Sequence, residues 1–240
     1  DYRYQKEAES YQNVGRVDFA PAGSRLFSHI GSGTLVGRQW VLTAAHVVQN
    51  TSQLSFNVGG QNYRAAEWYT PRSWNFTAFS SLGGSISFAN RDIALIRLSR
   101  PVRGVAPAGI ETNPNAARGK KITSVGFGAT GDGESGGIIR STKKRAGHNV
   151  IDVNEQGNPE LLYDFDQDPA DFLNRSGRGR TYNPSLDVLY ETDELMDWFQ
   201  AEPRFELEDF PVDLEYAIAQ GDSGGPLMLG DKVVGIHSWG

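Results

Sequence analysis

The chain contains no cysteine. Disulfides, thiolate catalysis and cysteine-ligated zinc are therefore excluded. The compartment stays open on this ground, because bacterial secreted enzymes often do without disulfides. Long apolar runs are also missing, and none approaches the ~18 residues a membrane helix needs. The N-terminal stretch DYRYQKEAES is polar and shows no signal-peptide pattern. Histidine is scarce: His29, His46, His148 and His237 are the only four. Any histidine chemistry must come from this short set.

What is present fits one large domain or two small ones. The 240 residues are enough to bury a real core, and 38% hydrophobic with 22% charged residues is ordinary for a soluble protein. The 28 glycines and 11 prolines punctuate the chain heavily. That suits many short strands joined by turns. Net charge is −6 but unevenly spread. Val150 to Tyr216 holds 18 acidic and 4 basic residues, and the remainder is net basic. An acidic block of this kind suggests a solvated surface insertion. It argues against nucleic acid as a partner, since phosphate contacts need clustered Lys and Arg.

The runs GTLVG, WVLTAAHVV, LSFNVGG, YRAAEWY and DIALIRL each read as strands bounded by turn residues. KITSVGFG and HNVIDV continue the pattern. The end, GPLMLGDKVVGIHSWG, reads as a hairpin turning at Gly230-Asp231. Leu98 to Gly119 is Pro- and Gly-rich and reads as a linker between two halves. About residues 154–213 read as a long insertion. Its part SLDVLYETDELMDWFQAE is expected to hold a helical turn or two. Regular short strands of this kind predict an all-β barrel or sandwich.

Three candidate catalytic residues stand out. His46 ends an apolar strand, and such a histidine taken alone is more often structural or simply exposed. Asp92 precedes a buried strand, where an acid is commonly a turn residue. Ser223 lies in Gly221-Asp222-Ser223-Gly224-Gly225. That spacing fits the nucleophile elbow of α/β-hydrolases as well as the GDSGGP segment of trypsin-like proteases. Chain order decides between them. The elbow fold needs its acid and histidine after the serine. Only 17 residues follow Ser223 here, with Asp231 and His237 in or beside the predicted hairpin. Upstream, the order is His46, Asp92, Ser223.

TAAH (Thr43 to His46), DIAL (Asp92 to Leu95), GDSGGP (Gly221 to Pro226) and GIHSWG (Gly235 to Gly240) together closely resemble the signature segments of trypsin-like serine proteases. The resemblance covers roughly residues 28–130 and 212–240. It implies a chymotrypsin-like fold, all-β with two six-stranded antiparallel barrels. Residues 1–105 would form the N-terminal barrel with His46 and Asp92. Residues 106–240 would form the C-terminal barrel with Ser223, carrying the acidic insertion. It further implies a Ser223-His46-Asp92 triad and an oxyanion hole from the N–H groups of Gly221 and Ser223. Ala217, Ile218, Gln220, Ser238, Trp239 and Gly240 would contact substrate, with Ser238 also bonding Asp92.

The chain departs from the family pattern in places. Val47, Gly31 and Ala219 stand where the family usually has cysteines, which fits a disulfide-free design and a bacterial source. The carboxylate of Asp222 normally pairs with a newly cut Ile-Val-Gly-Gly terminus, but this chain starts DYRYQ. Asp222 therefore needs a cation or several N–H donors nearby, because a buried unpaired carboxylate is costly. Ala217 occupies the specificity position and cannot select Arg or Lys, so an uncharged, fairly apolar S1 pocket is expected. The family continues beyond GIHSWG through another strand and a helix, so the second barrel is expected to be truncated at its C-terminal end.

Other signals are weaker. Asp164, Asp166 and Asp168 have the opening spacing of a calcium loop. Pro169 and Arg175 stand where Gly and Glu are required, which rules out an EF-hand. A solvated acidic loop is favoured over an irregular calcium site, and no cofactor or other metal is expected. The basic cluster Lys143 to Arg145 reads as exposed. Asn50, Asn75 and Asn174 begin sequons that carry little weight. The expectation is a secreted or periplasmic monomer acting on protein or peptide substrates, with no nucleic-acid or membrane partner. Its rivals are a catalytically silent binding module and an esterase sharing the triad.

Overall fold

Side-chain alternation builds the first half of the molecule. The computed structural model describes residues 2–81, 84–113, 115–132, 136–139, 142–151, 181–183, 188–190 and 212–238. A short helix α1 (Tyr2–Glu7) and a 3-10 turn (Ala8–Ser10) lead into β1 (Val14–Pro21), β2 (His29–Gly37) and β3 (Trp40–Thr43). The helical turn α2 (Ala45–Val48) follows, then β4 (Thr51–Val58), β5 (Gln61–Tyr69), the hairpin β6 (Asn75–Ser81) and β7 (Gly84–Asn90), and β8 (Ala94–Leu98). Six strands close a barrel in the order β1-β2-β3-β8-β5-β4, each pair antiparallel. Period-2 patterning sends Leu54, Phe56 and Val58 of β4 inward to meet Ala94, Ile96 and Leu98 of β8. Burying each of the larger side chains contributes about 1.5–3 kcal/mol.

The second half contains β9 (Gly109–Ile110), β10 (Lys121–Gly126), β11 (Thr130–Asp132), β12 (Gly136–Ile139) and β13 (Arg145–Val150). After these come β14 (Thr181–Asn183), β15 (Val188–Tyr190), β16 (Pro226–Leu229) and β17 (Lys232–Ile236). Five of them form a sheet in the order β13-β10-β16-β17-β9. The molecule is thus mostly β, with one closed antiparallel barrel and a second sheet, as expected of a chymotrypsin-like fold. Among the described residues the second unit is a five-stranded sheet rather than a six-stranded barrel. It also contains one parallel pair, β17 with β9. The expected hairpin at Gly230 is present, with Gly230 at φ 64°.

The stretch read as a linker packs in part against the first barrel, and Gly109–Ile110 within it is strand β9 of the second sheet. Val102 and Ala108 donate their amides to Arg38 O (2.7 Å) and Leu35 O (2.8 Å). Three local readings change. The strand expected through WVLTAAHVV stops at Thr43, and one helical turn carries His46. Gln49 N closes that turn on Ala45 O at 3.0 Å, while Ala45, Val47 and Val48 are buried. In the insertion, Val188–Tyr190 is a strand paired with Thr181–Asn183. Its β-branched and aromatic residues favour that state over a helical turn. The rest of that expected helical stretch lies outside the described residues. Finally, Lys144 is not an exposed base. Its Nζ donates to Tyr11 O (2.5 Å) and Val14 O (3.3 Å), and burial lowers its pKa to about 8.

Candidate active site

Strand pairing brings His46 and Asp92 together. Thr43 at the end of β3 faces Ala94 at the start of β8. The chain leaving β3 and the chain entering β8 therefore emerge from the same edge of the barrel. His46 lies three residues past the one, and Asp92 two residues before the other. Arg91 at φ 57° and an Ile93 N to Arg91 O bond of 2.8 Å tighten the turn on which Asp92 sits.

Asp92 is held three ways. Its Oδ2 meets His46 Nδ1 at 2.6 Å and accepts Ser238 Oγ at 2.7 Å, and its Oδ1 accepts the His46 amide at 2.8 Å. The Asp92 side chain is 3% exposed and that of His46 29%, so the imidazole has its acid-facing edge buried and its other edge open. Burial pushes the Asp92 carboxyl up. The hydrogen bond and charge of His46, the Ser238 hydroxyl and the His46 amide outweigh it, and the net displacement is downward. Asp92 is a carboxylate at neutral pH.

Ser223 comes from the second half but is fixed by the first. Ser32 of β2 donates its amide to Ser223 O and its hydroxyl to Gly221 O, each at 2.8 Å. The same hydroxyl accepts the Phe127 amide at 3.0 Å. Next to it, Gly224 has φ 81°, and a Cβ there would overlap Thr43 Oγ1 and stand 2.8 Å from Ala44 N. Only glycine lets this backbone lie against the end of β3, three residues short of His46. Ser223 is half-buried. Among the described residues no hydrogen bond joins its Oγ to His46. Such bonds often tighten only with substrate bound.

The amides of Gly221 and Ser223 donate to no internal acceptor among the described residues, whereas Asp222 N bonds Ala219 O at 2.9 Å and Gly224 N bonds His237 O at 2.8 Å. Gly221 takes φ 109°. Two N–H donors on either side of a buried anchor are thus left available.

That anchor is Asp222, 1% exposed. Its expected donors are present: Gly128 N at 2.7 Å, Ala219 N at 2.9 Å and the Tyr216 hydroxyl at 2.9 Å. A Cβ on Gly126 or Gly128 would overlap the carboxylate. Burial pushes the Asp222 pKa up to about 6, against the pull of these three donors and of Arg145.

Of the remaining predicted positions, Ala217 and Gln220 are exposed and Ile218 is half-buried. Trp239 and Gly240 lie outside the described residues, as do Asp164, Asp166 and Asp168. Among the described residues no three His, Cys, Asp or Glu side chains form a metal cluster. Asp213 pairs with Arg3 at the surface, at 3.4 Å. Sequence reasoning missed Ser32, Tyr216 and the buried His237. The Gly126-x-Gly128 pair after a strand was the one local hint of the Asp222 cradle.

A family model described as Trypsin matches residues 6–158 and 195–240. Snake venom serine protease KN5 of Trimeresurus stejnegeri is 26% identical over 215 residues, which is 88% of this chain and 66% of that protein. Snake venom serine protease homolog rhinocerase 2 of Bitis rhinoceros is 31% identical over 103 residues, 41% of this chain and 38% of its own length. The chain thus spans just under two thirds of the length of the first of these relatives. Among solved structures, HL collagenase aligns with TM-score 0.57 at 16% identity, covering 95% of this chain and 81% of that one. The scabies mite inactivated protease paralogue aligns with TM-score 0.55 at 14% identity, covering 98% and 82%. The two named relatives are snake proteins, so they lend nothing to a bacterial source or a periplasmic location. With its family model spanning both halves of the fold, this chain belongs to the trypsin family of serine proteases.

Proposed function

We propose that this protein is a secreted serine endopeptidase that cleaves peptide bonds through Ser223, His46 and Asp92. The observation that carries the reading is the Asp92 constellation: one carboxylate, three donors, and the histidine ring among them at 2.6 Å. Support also comes from the two unoccupied amides beside Ser223.

In this reading Ser223 Oγ attacks the scissile carbonyl carbon while His46 Nε2 takes the hydroxyl proton. Asp92 fixes the tautomer through Nδ1 and stabilises the imidazolium that forms. The carbonyl oxygen becomes an oxyanion, met by the N–H groups of Gly221 and Ser223. Each donor of this kind is worth about 2.7–4 kcal/mol in the transition state. Collapse expels the amine, which receives the proton from His46. Water then hydrolyses the acyl-enzyme by the same route reversed.

Ala217, Ile218 and Gln220 would border the S1 pocket, and Trp239 and Gly240, next to Ser238, would carry the substrate backbone as an added strand. With alanine at its base, the pocket prefers apolar or aromatic P1 residues. Substrates are proteins or peptides and the enzyme acts as a monomer.

A fluorophosphonate should label Ser223, and both Ser223→Ala and His46→Ala should abolish labelling. Their kcat should fall by about 10⁶. A folded wild-type chain that takes no label would make this a silent member of the family. Labelling without cleavage of any peptide in a denatured proteome would make it an esterase. A cleavage profile dominated by Arg or Lys at P1 would refute the pocket.

A further inference from the structure

The two candidate oxyanion donors flank Asp222, and Gly221 on one side has no side chain to hold its peptide plane. Gly221 takes φ 109°, and the peptide that carries its N–H is held on the carbonyl side by the Ala129 amide, which donates to Gln220 O at 3.0 Å. Asp222 is a second hold on this turn, through its carboxylate. Its Oδ1 accepts Gly128 N–H and the Tyr216 hydroxyl, and its Oδ2 accepts Ala219 N–H. Among the described residues no Lys or Arg lies within ion-pair distance of it, and Arg145 acts only at longer range. Tyr216 is therefore the one side chain among the described residues that grips this carboxylate.

Tyr216 is itself held from several sides. It is 7% exposed, its amide donates to His148 O at 3.1 Å, and its ring stacks on His237 with centroids 6.3 Å apart. The N-terminal arm lies over its neighbours. Tyr4 of α1 donates its hydroxyl to Glu215 O at 2.9 Å, and Arg3 pairs with Asp213. Lys144, just before β13, holds the arm's far end at Tyr11 O and Val14 O. His148 N donates to Leu214 O at 2.8 Å, so the segment carrying Tyr216 is clamped between β13 and the arm.

We propose that Tyr216 is a positioning residue for the oxyanion donors, and that the N-terminal arm, through Tyr4 and Glu215, keeps it in place. The proposal rests on the protease reading above. The hydroxyl fixes the orientation of the Asp222 carboxylate, the carboxylate fixes its own backbone, and that backbone aims the N–H groups of Gly221 and Ser223. No bond is made or broken by Tyr216.

The test is Tyr216→Phe in the full chain, which keeps the ring and its stacking and removes only the hydroxyl. Loss of a hydrogen bond to a buried charge should lower kcat by about tenfold to a hundredfold, with KM within about twofold. Removing a donor also favours the neutral acid, so the acid limb of the kcat profile should move to higher pH. Gly128 N–H, Ala219 N–H, Arg145 and the Tyr216-stacked His237 are the groups that face this site and remain in the variant. Tyr4→Phe should lower kcat by about threefold, and its effect should vanish in the Tyr216→Phe background if the arm acts through Tyr216. An unchanged kcat and pH profile in Tyr216→Phe overturns the proposal. So do Tyr4 and Tyr216 effects that simply multiply, for the arm's part in it. A wild-type chain that takes no fluorophosphonate overturns the protease reading instead. The tether is then decided by the ¹⁵N shifts of Gly221 and Ser223, which move on Tyr216→Phe if it exists and stay fixed if it does not.

Discussion

Replacing His237 by glutamine should make the protein more tolerant of acid, although the residue is far from the surface. His237 is 3% exposed, and burial lowers its pKa to about 3. A histidine depressed in this way stabilises the fold above the unfolded value of about 6.5, and that stability is lost as pH falls towards 3. Asp222 works in the opposite sense. Its folded pKa of about 6 lies above the unfolded carboxylate value, so its contribution is fully present in acid and lost as pH rises through 6. Between pH 7 and pH 4.5 the His237 loss is about 2.7 kcal/mol and the Asp222 gain about 2 kcal/mol. Taken alone, this pair should thus cost the wild type only about 0.7 kcal/mol over that range, because the two terms nearly cancel. His237→Gln removes one of them. Relative to the wild type, its stability should gain about 2.7 kcal/mol as pH falls from 7 to 4.5, about 1 M in urea midpoint for a chain of this size. Urea titrations of both proteins at the two pH values, followed by tryptophan fluorescence, measure this. The reasoning fails if the gap between wild type and variant is the same at pH 4.5 as at pH 7.

Other perturbations follow from single contacts. Gly224→Ala places a Cβ against Thr43 and Ala44 at φ 81°; backbone strain of about 1–2 kcal/mol plus overlap should lower the urea midpoint and fluorophosphonate labelling together. Ser238→Ala removes a 2.7 Å bond to Asp92, which should lower kcat by about tenfold at constant circular dichroism. Ala217→Asp should move the cleavage profile towards Arg and Lys at P1, and an unmoved profile would take Ala217 out of the pocket.

Much of this fold was legible because its signals are local. Apolar runs of strand length, ended by Gly, Asn or Ser, marked β2, β4, β5, β8 and β10 without any knowledge of pairing. The order His46, Asp92, Ser223 removed the α/β-hydrolase reading by counting residues alone. Failures came where a residue's state depends on distant chain. Nothing in KKR distinguishes Lys144 from its neighbours until Tyr11 and Val14 supply carbonyls to it. The strand reading ran through His46 because AAHVV is apolar in either state. One helical turn wins there because it turns the His46 amide and ring together onto Asp92. Tyr216 was invisible as a partner of Asp222, since a tyrosine six residues upstream of an aspartate has no spacing rule. The need for donors at Asp222 was legible all the same, because burial of a carboxylate demands them whatever their source.

The glycines around Ser223 have more to do with contact than with access for substrate. Gly224 lies against Thr43 and Ala44, and Gly225 would put a Cβ into Val125 O. Gly126 and Gly128, from a different strand and loop, make room for Asp222. At four positions, then, the backbone of one segment touches another where any side chain would intervene. Ser32 joins the same seam from β2, with one hydroxyl that both donates to Gly221 O and accepts from Phe127 N. Ser223 is thereby set in register against the barrel that carries His46 and Asp92, rather than by its own sheet alone. The serine loop needs both halves of the molecule to hold its shape, and that is why a GxSxG pentapeptide, read by itself, could not say which hydrolase design it served.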